Sequence, residues 1–177
     1  SHLISISRLD EFWFKNQKKI SSKKANFLYV GRLSKEKGIF NFIEMFEKIN
    51  NDATMSIVGY SKNFSFNNSK IQQLGYISDP LNLIKVYDEC NISILPSYTE
   101  GYPYVVDESL ARGRPVIIFE EISYVVNNKN GVFVSKRDAN SLKKIIHYIL
   151  DNYEKIQLDI SKNLLPTKKS MLKQISD

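Results

Sequence analysis

The chain has 177 residues, of which 42% are hydrophobic and 25% charged, and this is typical of an ordinary globular protein with one sizeable core. Its net charge of +6 comes from scattered lysines and arginines, and no apolar run approaches the roughly 20 residues of a membrane span. The single cysteine, Cys90, excludes an internal disulfide, and the two histidines lie far from it in sequence, so we expect no metal site.

Residues 1–24 are predicted to be a lead-in, followed by one α/β domain over residues 25–177. In residues 3–7 apolar and polar side chains partly alternate, as in a strand. Residues 12–14 form a dense aromatic cluster, which we expect to be buried against another part of the protein. Residues 17–24 are polar and basic without periodicity, which indicates a linker.

A first strand-to-helix crossing follows at Gly31. Residues 26–30 have the short apolar pattern of a buried strand, residues 31–38 form a basic loop between two glycines, and residues 39–50 show apolar side chains at helical spacing. In the loop, Arg32 can bind phosphate oxygens bidentately, and Lys37 supplies a mobile positive charge.

The stretch from residue 96 to residue 115 contains the second crossing. Residues 91–95 predict a buried strand, Gly101 and Pro103 interrupt the extended pattern, and residues 104–112 predict a helix that Gly113 closes. A helix N-terminus at the carboxyl edge of a parallel sheet favours an anion such as a phosphate.

Two carboxylates flank this helix start, Glu100 in the loop and Glu108 about one turn inside the helix. Carboxylates accept hydrogen bonds from sugar hydroxyls, so the pair together with the helix N-terminus suits a nucleotide sugar. The alternative is that both are solvated acids at a helix start, where acids are favoured in any case.

The remaining segments continue the alternation of strands and helices. Short strands are predicted at residues 55–58, which end at Gly59, and at residues 73–77, 115–119 and 131–134. Helices are predicted from Asp79 to Cys90 and from Asp138 onward, and residues 153–177 are predicted to be a terminal helix or a frayed end. The pattern predicts a three-layer, Rossmann-like α/β fold: a parallel sheet with helices on both faces.

Several motifs in order resemble the family 4 retaining glycosyltransferases. These are Gly-Arg-Leu at 31–33, Lys-Gly at 37–38, Ile-Val-Gly at 57–59, Ile-Leu-Pro-Ser at 94–97, two glutamates separated by seven residues, and Ala-Arg-Gly-Arg-Pro at 111–115. The similarity runs from about residue 27 to residue 150. It corresponds to the C-terminal, nucleotide-sugar-binding half of the two-domain GT-B fold.

The resemblance implies a role for each motif residue. Arg32 and Lys37 would hold the diphosphate and stabilise the leaving nucleotide, Glu100 would lie near the donor sugar, and Glu108 would bind the ribose hydroxyls. Backbone N–H groups of residues 102–105 would contact the sugar or the phosphates, and the strand at 73–77 would read the nucleobase. The residues implied to bind the donor, besides the two cations and Glu100, are Glu108, Gly101, Tyr102, Pro103, Tyr104, Val105, Gly31, Gly59 and Tyr76.

The same resemblance implies the ligands, partners and location of the protein. The donor would be a UDP- or GDP-linked sugar with no metal or other cofactor, and the acceptor a glycan or a lipid-linked molecule. The family's N-terminal acceptor domain is absent from this chain and would be its main protein partner. We expect a cytoplasmic protein with peripheral contact to the inner face of a membrane, and no nucleic-acid partner.

At four places the sequence departs from the family pattern. The family has an apolar residue where this chain has Asp107, alanine where it has Ser109, and a smaller residue or asparagine at Tyr104. After Phe119 the family's glycine pair is missing.

Two other functions remain open at the level of the sequence. One is a non-catalytic nucleotide-sugar-binding or scaffolding domain of the same fold, since a fold does not determine a function. The other is a different nucleotide enzyme such as a Rossmann dehydrogenase, but no G-x-G-x-x-G follows the first strand.

Overall fold

A computed structural model describes residues 8–20, 23–49, 52–60 and 64–176. In this part of the chain six strands form one parallel sheet in the order β3-β2-β1-β4-β5-β6. The strands are β1 (Asn26–Val30), β2 (Thr54–Val58), β3 (Ile71–Gly75), β4 (Ile92–Leu95), β5 (Val116–Phe119) and β6 (Val132–Ser135). The order reverses between β1 and β4, so a topological switch point lies at the centre of the sheet.

Helices cover both faces of this sheet, so the predicted three-layer fold is confirmed. They are α1 (Ile39–Ile49), α2 (Pro80–Glu89), α3 (Tyr104–Ala111), α4 (Ala139–Asp151), α5 (Tyr153–Ile160) and α6 (Lys168–Ser176), with 3₁₀ helices at Glu11–Phe14 and Glu120–Val126. One prediction needs correction, and one element was not predicted. The C-terminal region holds two helices rather than one, and a 3₁₀ helix that the sequence did not suggest follows β5.

The alternation of β1 separates the two faces of the core. Phe27 and Tyr29 belong to the apolar cluster that includes α1 and α4, whereas Leu28 belongs to the cluster around α2 and the first 3₁₀ helix. Phe27 meets the rings of Phe42 and Phe46 edge-on, with centroids 5.6 and 6.0 Å apart. These contacts hold α1 against the sheet and fix the loop that precedes it.

Capping residues begin and end the helices largely as predicted. Asp79 accepts a hydrogen bond from the backbone N of Asn82 at 3.0 Å, and Asp138 accepts one from that of Ser141 at 2.8 Å. Gly113 has a φ of +68°, which suits the residue that follows a helix end. The third strand was misplaced, because β3 runs from Ile71 to Gly75 and Tyr76 lies beyond its carboxyl end.

The described part of the lead-in packs on the domain. Trp13 is buried and meets the ring of Tyr87 edge-on at 5.8 Å, and Phe12 is partly buried, whereas Phe14 is exposed, so the aromatic cluster is covered only in part. Residues 3–7, predicted as a strand, lie outside the described residues.

Two buried arginines bind the backbone of that lead-in. Arg112 donates to the carbonyl oxygens of Trp13 and Lys15, both at 2.8 Å, and Arg114 donates to that of Lys18 at 2.9 Å. Arg112 also forms a bidentate pair with Asp88 at 3.0 and 2.9 Å. Residues 13–18 are therefore attached to the end of α3 rather than free of the domain.

Candidate functional site

A cleft of about 730 Å³ opens at the carboxyl edge of the sheet, beside the switch point. Its walls come from the segments that follow β1, β3 and β4, from the first turns of α3, and from the lead-in and α6. Ten of the residues expected at the site line it: Gly31, Arg32, Lys37, Tyr76, Glu100, Tyr102, Pro103, Tyr104, Val105 and Glu108. Gly59 and Gly101 are not among its lining residues.

Lys37 and Glu100 are paired with each other across this cleft. The Lys37 ammonium lies 2.6 Å from Glu100 Oε1, and the side chains are 24% and 8% exposed. Ser97 Oγ donates to the same carboxylate oxygen at 2.6 Å. Both donors use Oε1, so Oε2 has no hydrogen-bond partner among the described residues. The sequence placed the two side chains on one sheet edge but did not indicate their ion pair.

The two loops that carry this pair are held together by their backbones. Tyr98 N donates to Glu36 O at 3.0 Å, and a Cβ at Gly38 would lie only 1.9 Å from Pro96 O. Gly38 also has a φ of +65°. Glycine is therefore required at position 38 for the basic loop to approach the acidic one.

Arg32 extends from the end of β1 with its guanidinium exposed. Its backbone carbonyl accepts a hydrogen bond from Tyr29 OH at 2.6 Å, while its side chain has no hydrogen bond or ion pair with any described residue. Gly59 packs against the backbone of the residue that precedes Arg32, since a Cβ at position 59 would be 1.9 Å from Gly31 O. Gly59 thus allows the close approach of the β1 and β2 ends and is a supporting residue of the cleft wall.

Glu108 lies on the inner side of α3 and is only 9% exposed. Tyr87 OH donates to its Oε2 at 3.0 Å. Burial raises the pKa of Glu108 to about 7, against the opposing effects of the Tyr87 hydrogen bond and the positive charge of Arg8. Tyr87 and Arg8 are two neighbours of the site that sequence reasoning missed, since nothing local marks either of them.

Asp107, the first departure from the family pattern, is buried in a polar network on α3. Its carboxylate lies 2.7 Å from the Lys129 ammonium and accepts a hydrogen bond from Tyr102 OH at 2.5 Å. Tyr102 in turn meets the Tyr104 ring at 5.4 Å. An acid at this buried position is therefore compensated by a lysine, and the network ties Tyr102, a cleft residue, to the helix.

Ser109, the second departure, is completely buried. Its hydroxyl donates to the carbonyl oxygen of Arg114 at 3.1 Å and is hydrogen-bonded to the Ser93 hydroxyl, with the two Oγ atoms 2.6 Å apart. These bonds join α3 to β4 at the point where the family has alanine.

Arg137 supports the acidic loop from below and was also missed. It forms an ion pair with Glu121 at 2.7 Å, donates to Ser97 O at 3.3 Å, and stacks on the Tyr98 ring at 4.0 Å. Arg137 follows β6 and is distant in sequence from residues 97–98, so only the fold brings them together.

The backbone expectation for residues 102–105 needs one correction. Pro103 precedes α3 and has no N–H group, so the donors of this turn are Tyr102, Tyr104 and Val105. The Tyr76 side chain, which follows the edge strand β3, is 75% exposed, and it lines the cleft together with Ile77 and Leu83.

The described residues were also examined for a metal site and for a helix that could span a membrane. No group of three or more His, Cys, Asp or Glu residues is placed to hold a metal ion there. Within the same ranges, none of the helices has the length and apolar character needed to cross a bilayer.

Comparison with known proteins gives one family and several relatives. The model of the family described as "Glycosyl transferases group 1" matches residues 10–164. The chain is 28% identical over 151 residues to the N,N'-diacetylbacillosaminyl-diphospho-undecaprenol alpha-1,3-N-acetylgalactosaminyltransferase of Campylobacter jejuni, covering 80% of this chain and 39% of that protein. It is 31% identical over 125 residues to the putative teichuronic acid biosynthesis glycosyltransferase TuaC of Bacillus subtilis, covering 67% of this chain and 31% of TuaC.

Solved structures show the same fold. The Anabaena protein Alr3699/HepE, in complex with UDP and glucose, superposes with a TM-score of 0.67 at 17% identity, over 87% of this chain and 47% of that one. The C-terminal domain of the group 1 protein LpcC from Francisella tularensis superposes with a TM-score of 0.59 at 19% identity, over 90% and 91% of the two chains. The chain thus matches a C-terminal domain in extent and spans less than half of the two named curated relatives.

Proposed function

This chain belongs to the group 1 glycosyltransferases, and from that premise we propose that its cleft binds a nucleoside-diphosphate sugar and presents the sugar for transfer. One observation carries the proposal. A single cleft at the switch point gathers two cations, Arg32 and Lys37, with two carboxylates, Glu100 and Glu108, around the N-terminus of α3. A diphosphate needs the cations, and a ribose and a sugar need hydroxyl acceptors.

We propose that Glu108 accepts hydrogen bonds from the ribose and Glu100 from the donor sugar. Tyr87 occupies Oε2 of Glu108, which leaves Oε1 for a ligand, and Oε2 of Glu100 has no partner among the described residues. Arg32 and Lys37 bind the diphosphate and stabilise the charge that develops on the leaving nucleotide. Tyr76 lines the cleft just after β3, and we propose that it contacts the nucleobase.

The finer assignments also remain proposals. We propose a UDP- or GDP-linked donor, transfer with retention of configuration, and no metal, all carried over from the family resemblance. An N-terminal domain would supply the acceptor site, and the acceptor would be a glycan or a lipid-linked molecule, as the name of the Campylobacter relative suggests. With a lipid-linked acceptor the protein would act at the cytoplasmic face of a membrane. Its net charge of +6 would attract it to anionic lipid there.

Calorimetric titration of the chain with uridine and guanosine diphosphates, and with the sugars linked to them, tests the proposal. We expect binding that Arg32→Ala weakens by roughly 1.5–3 kcal/mol, the range for hydrogen bonds to charged groups. Lys35→Ala is the matched control, because Lys35 is an exposed cation of the same loop outside the cleft lining. The proposal fails if no nucleoside diphosphate or nucleotide sugar binds at millimolar concentration.

A further inference from the structure

We propose that Arg8, in the lead-in, is a further donor-binding residue that contacts the diphosphate. The inference rests on the proposed function and extends it to a segment outside the strand-to-helix crossings. Arg8, Asp10 and Trp13 line the same cleft as Arg32 and Lys37. One wall of the site is therefore made by residues that precede the first strand.

The position of this wall is fixed by buried contacts. Trp13 is 3% exposed, and its carbonyl oxygen is one of those that accept hydrogen bonds from Arg112. On the other side, Lys168 at the start of α6 donates its backbone N–H to Leu9 O at 2.9 Å. The residues next to Arg8 are thus held from two directions, so the site includes Arg8 without any rearrangement of the lead-in.

The Arg8 side chain lies over the start of α3. Its guanidinium carbon is 4.1 Å from the centroid of the Tyr104 ring, and Tyr104 is the first residue of that helix. Free N–H groups at the start of a helix favour an anion at this place. A guanidinium that stacks on an aromatic ring keeps its edge available for bidentate contact with phosphate oxygens.

The balance of charge in the cleft supports the same conclusion. Lys37 is paired with Glu100 at 2.6 Å, and Lys168 with Asp10 at 2.8 Å. Arg8 and Arg32 have no hydrogen bond or ion pair from their side chains to any residue in the described ranges. Among the cations that line the cleft, these two guanidinium groups can therefore be reached by an anionic ligand without displacing a carboxylate partner.

Arg8→Ala tests the inference by calorimetry on the 177-residue chain, with a nucleoside and its diphosphate as probes. We expect the diphosphate to bind about tenfold more weakly, since a hydrogen bond to a charged group is lost, and the nucleoside less than about twofold. Arg8→Lys keeps the charge but loses the paired N–H donors of the guanidinium, so we expect an intermediate loss of affinity for the diphosphate. Lys15→Ala removes the same charge from the same segment outside the cleft lining and should change neither affinity.

Equal diphosphate affinities in the native chain, Arg8→Ala and Lys15→Ala would overturn this inference alone. Equal losses for nucleoside and diphosphate would also overturn it, because Arg8 would then act through the Tyr104 ring or the Glu108 carboxylate and not on the phosphates. If the native chain binds neither probe, both this inference and the proposed function fail. A thermal melt of each variant checks the fold, which we expect to be unchanged because the Arg8 side chain is exposed.

Discussion

The ammonium of Lys37 lies 2.6 Å from Oε1 of Glu100, so the two residues proposed to hold different parts of one donor are bonded to each other. The pair is partly shielded from solvent, with 24% and 8% of the two side chains exposed. A diphosphate that binds Lys37 must therefore compete with the carboxylate for the same cation. The loop that carries Glu100, the proposed sugar-binding acid, is in this way coupled to the loop that carries Lys37, the proposed phosphate-binding cation.

Glu100→Gln separates the two roles of this pair. We expect the nucleoside diphosphate to bind at least as tightly as before, because the competing anion is gone, and the nucleotide sugar to bind more weakly. Lys37→Ala should weaken both ligands by roughly 1.5–3 kcal/mol. Calorimetric titration of both variants with both ligands is the measurement, with Lys35→Ala as control. A loss of diphosphate affinity in Glu100→Gln would contradict the competition.

The raised pKa of Glu108 predicts a pH dependence of donor binding. The pKa lies at about 7 rather than 4.5, so the ionised fraction of Glu108 rises through the neutral range. Only the ionised group accepts two ribose hydrogen bonds, and we expect affinity for a nucleotide sugar to increase by about tenfold from pH 6 to pH 8.

The control for this measurement is Glu108→Gln, which should bind weakly and with little pH dependence. A nucleotide sugar is preferred as the ligand because a terminal phosphate has its own second ionisation near pH 6. A native pH profile as flat as that of the variant would show that Glu108 does not bind the ribose in its ionised form.

Gly38→Ala should destabilise the protein by at least about 2 kcal/mol. Its φ is +65°, a conformation that costs other residues about 1–2 kcal/mol, and the new Cβ would lie 1.9 Å from Pro96 O. Urea unfolding measures the loss. Gly101→Ala is the matched control, since a Cβ there meets nothing within 4 Å, and it should change the free energy of unfolding by less than about 0.5 kcal/mol.

Arg112→Met should cost about 3 kcal/mol of unfolding free energy, the lower end of the range for breaking a buried ion pair, because Asp88 is only 9% exposed, loses its bidentate partner and, among the described residues, keeps only the 3.6 Å contact with Arg114. The carbonyl oxygens of Trp13 and Lys15 lose their donor as well. Denaturant unfolding with Lys143→Ala, an exposed change on α4, provides the comparison. A loss below about 1 kcal/mol would mean that Arg114 alone is able to hold the lead-in.

Local patterns in the sequence were sufficient to predict the sheet and much of the cleft. Short apolar runs marked the strands, and the loops after them marked the carboxyl edge, so Arg32, Lys37 and Glu100 could be placed on one side of the domain. The strand ends were less certain, as β3 shows, because residues 71–77 mix polar and apolar side chains on an edge strand.

Contacts between distant segments were beyond the reach of such patterns. Lys129 has no periodicity or motif around it that points to Asp107, and Arg8 has none that points to Tyr104. The docking of the lead-in was hidden for a different reason. The lead-in binds Arg112 and Arg114 mainly through its own backbone carbonyl oxygens, which every residue type carries, so the polar run at residues 17–24 was typical of a free linker.

Recognition through carbonyl oxygens has a consequence for how this domain could be recombined with others. Arg112 and Arg114 bind the carbonyl oxygens of residues 15, 16 and 18, so the side chains of Lys15 and Lys18 can be exchanged while the path of the segment stays the same. A chimera that joins a different N-terminal domain to this one should therefore keep its junction upstream of Arg8. A junction at residue 25 would leave two buried guanidinium groups facing a foreign backbone and would remove one wall of the cleft.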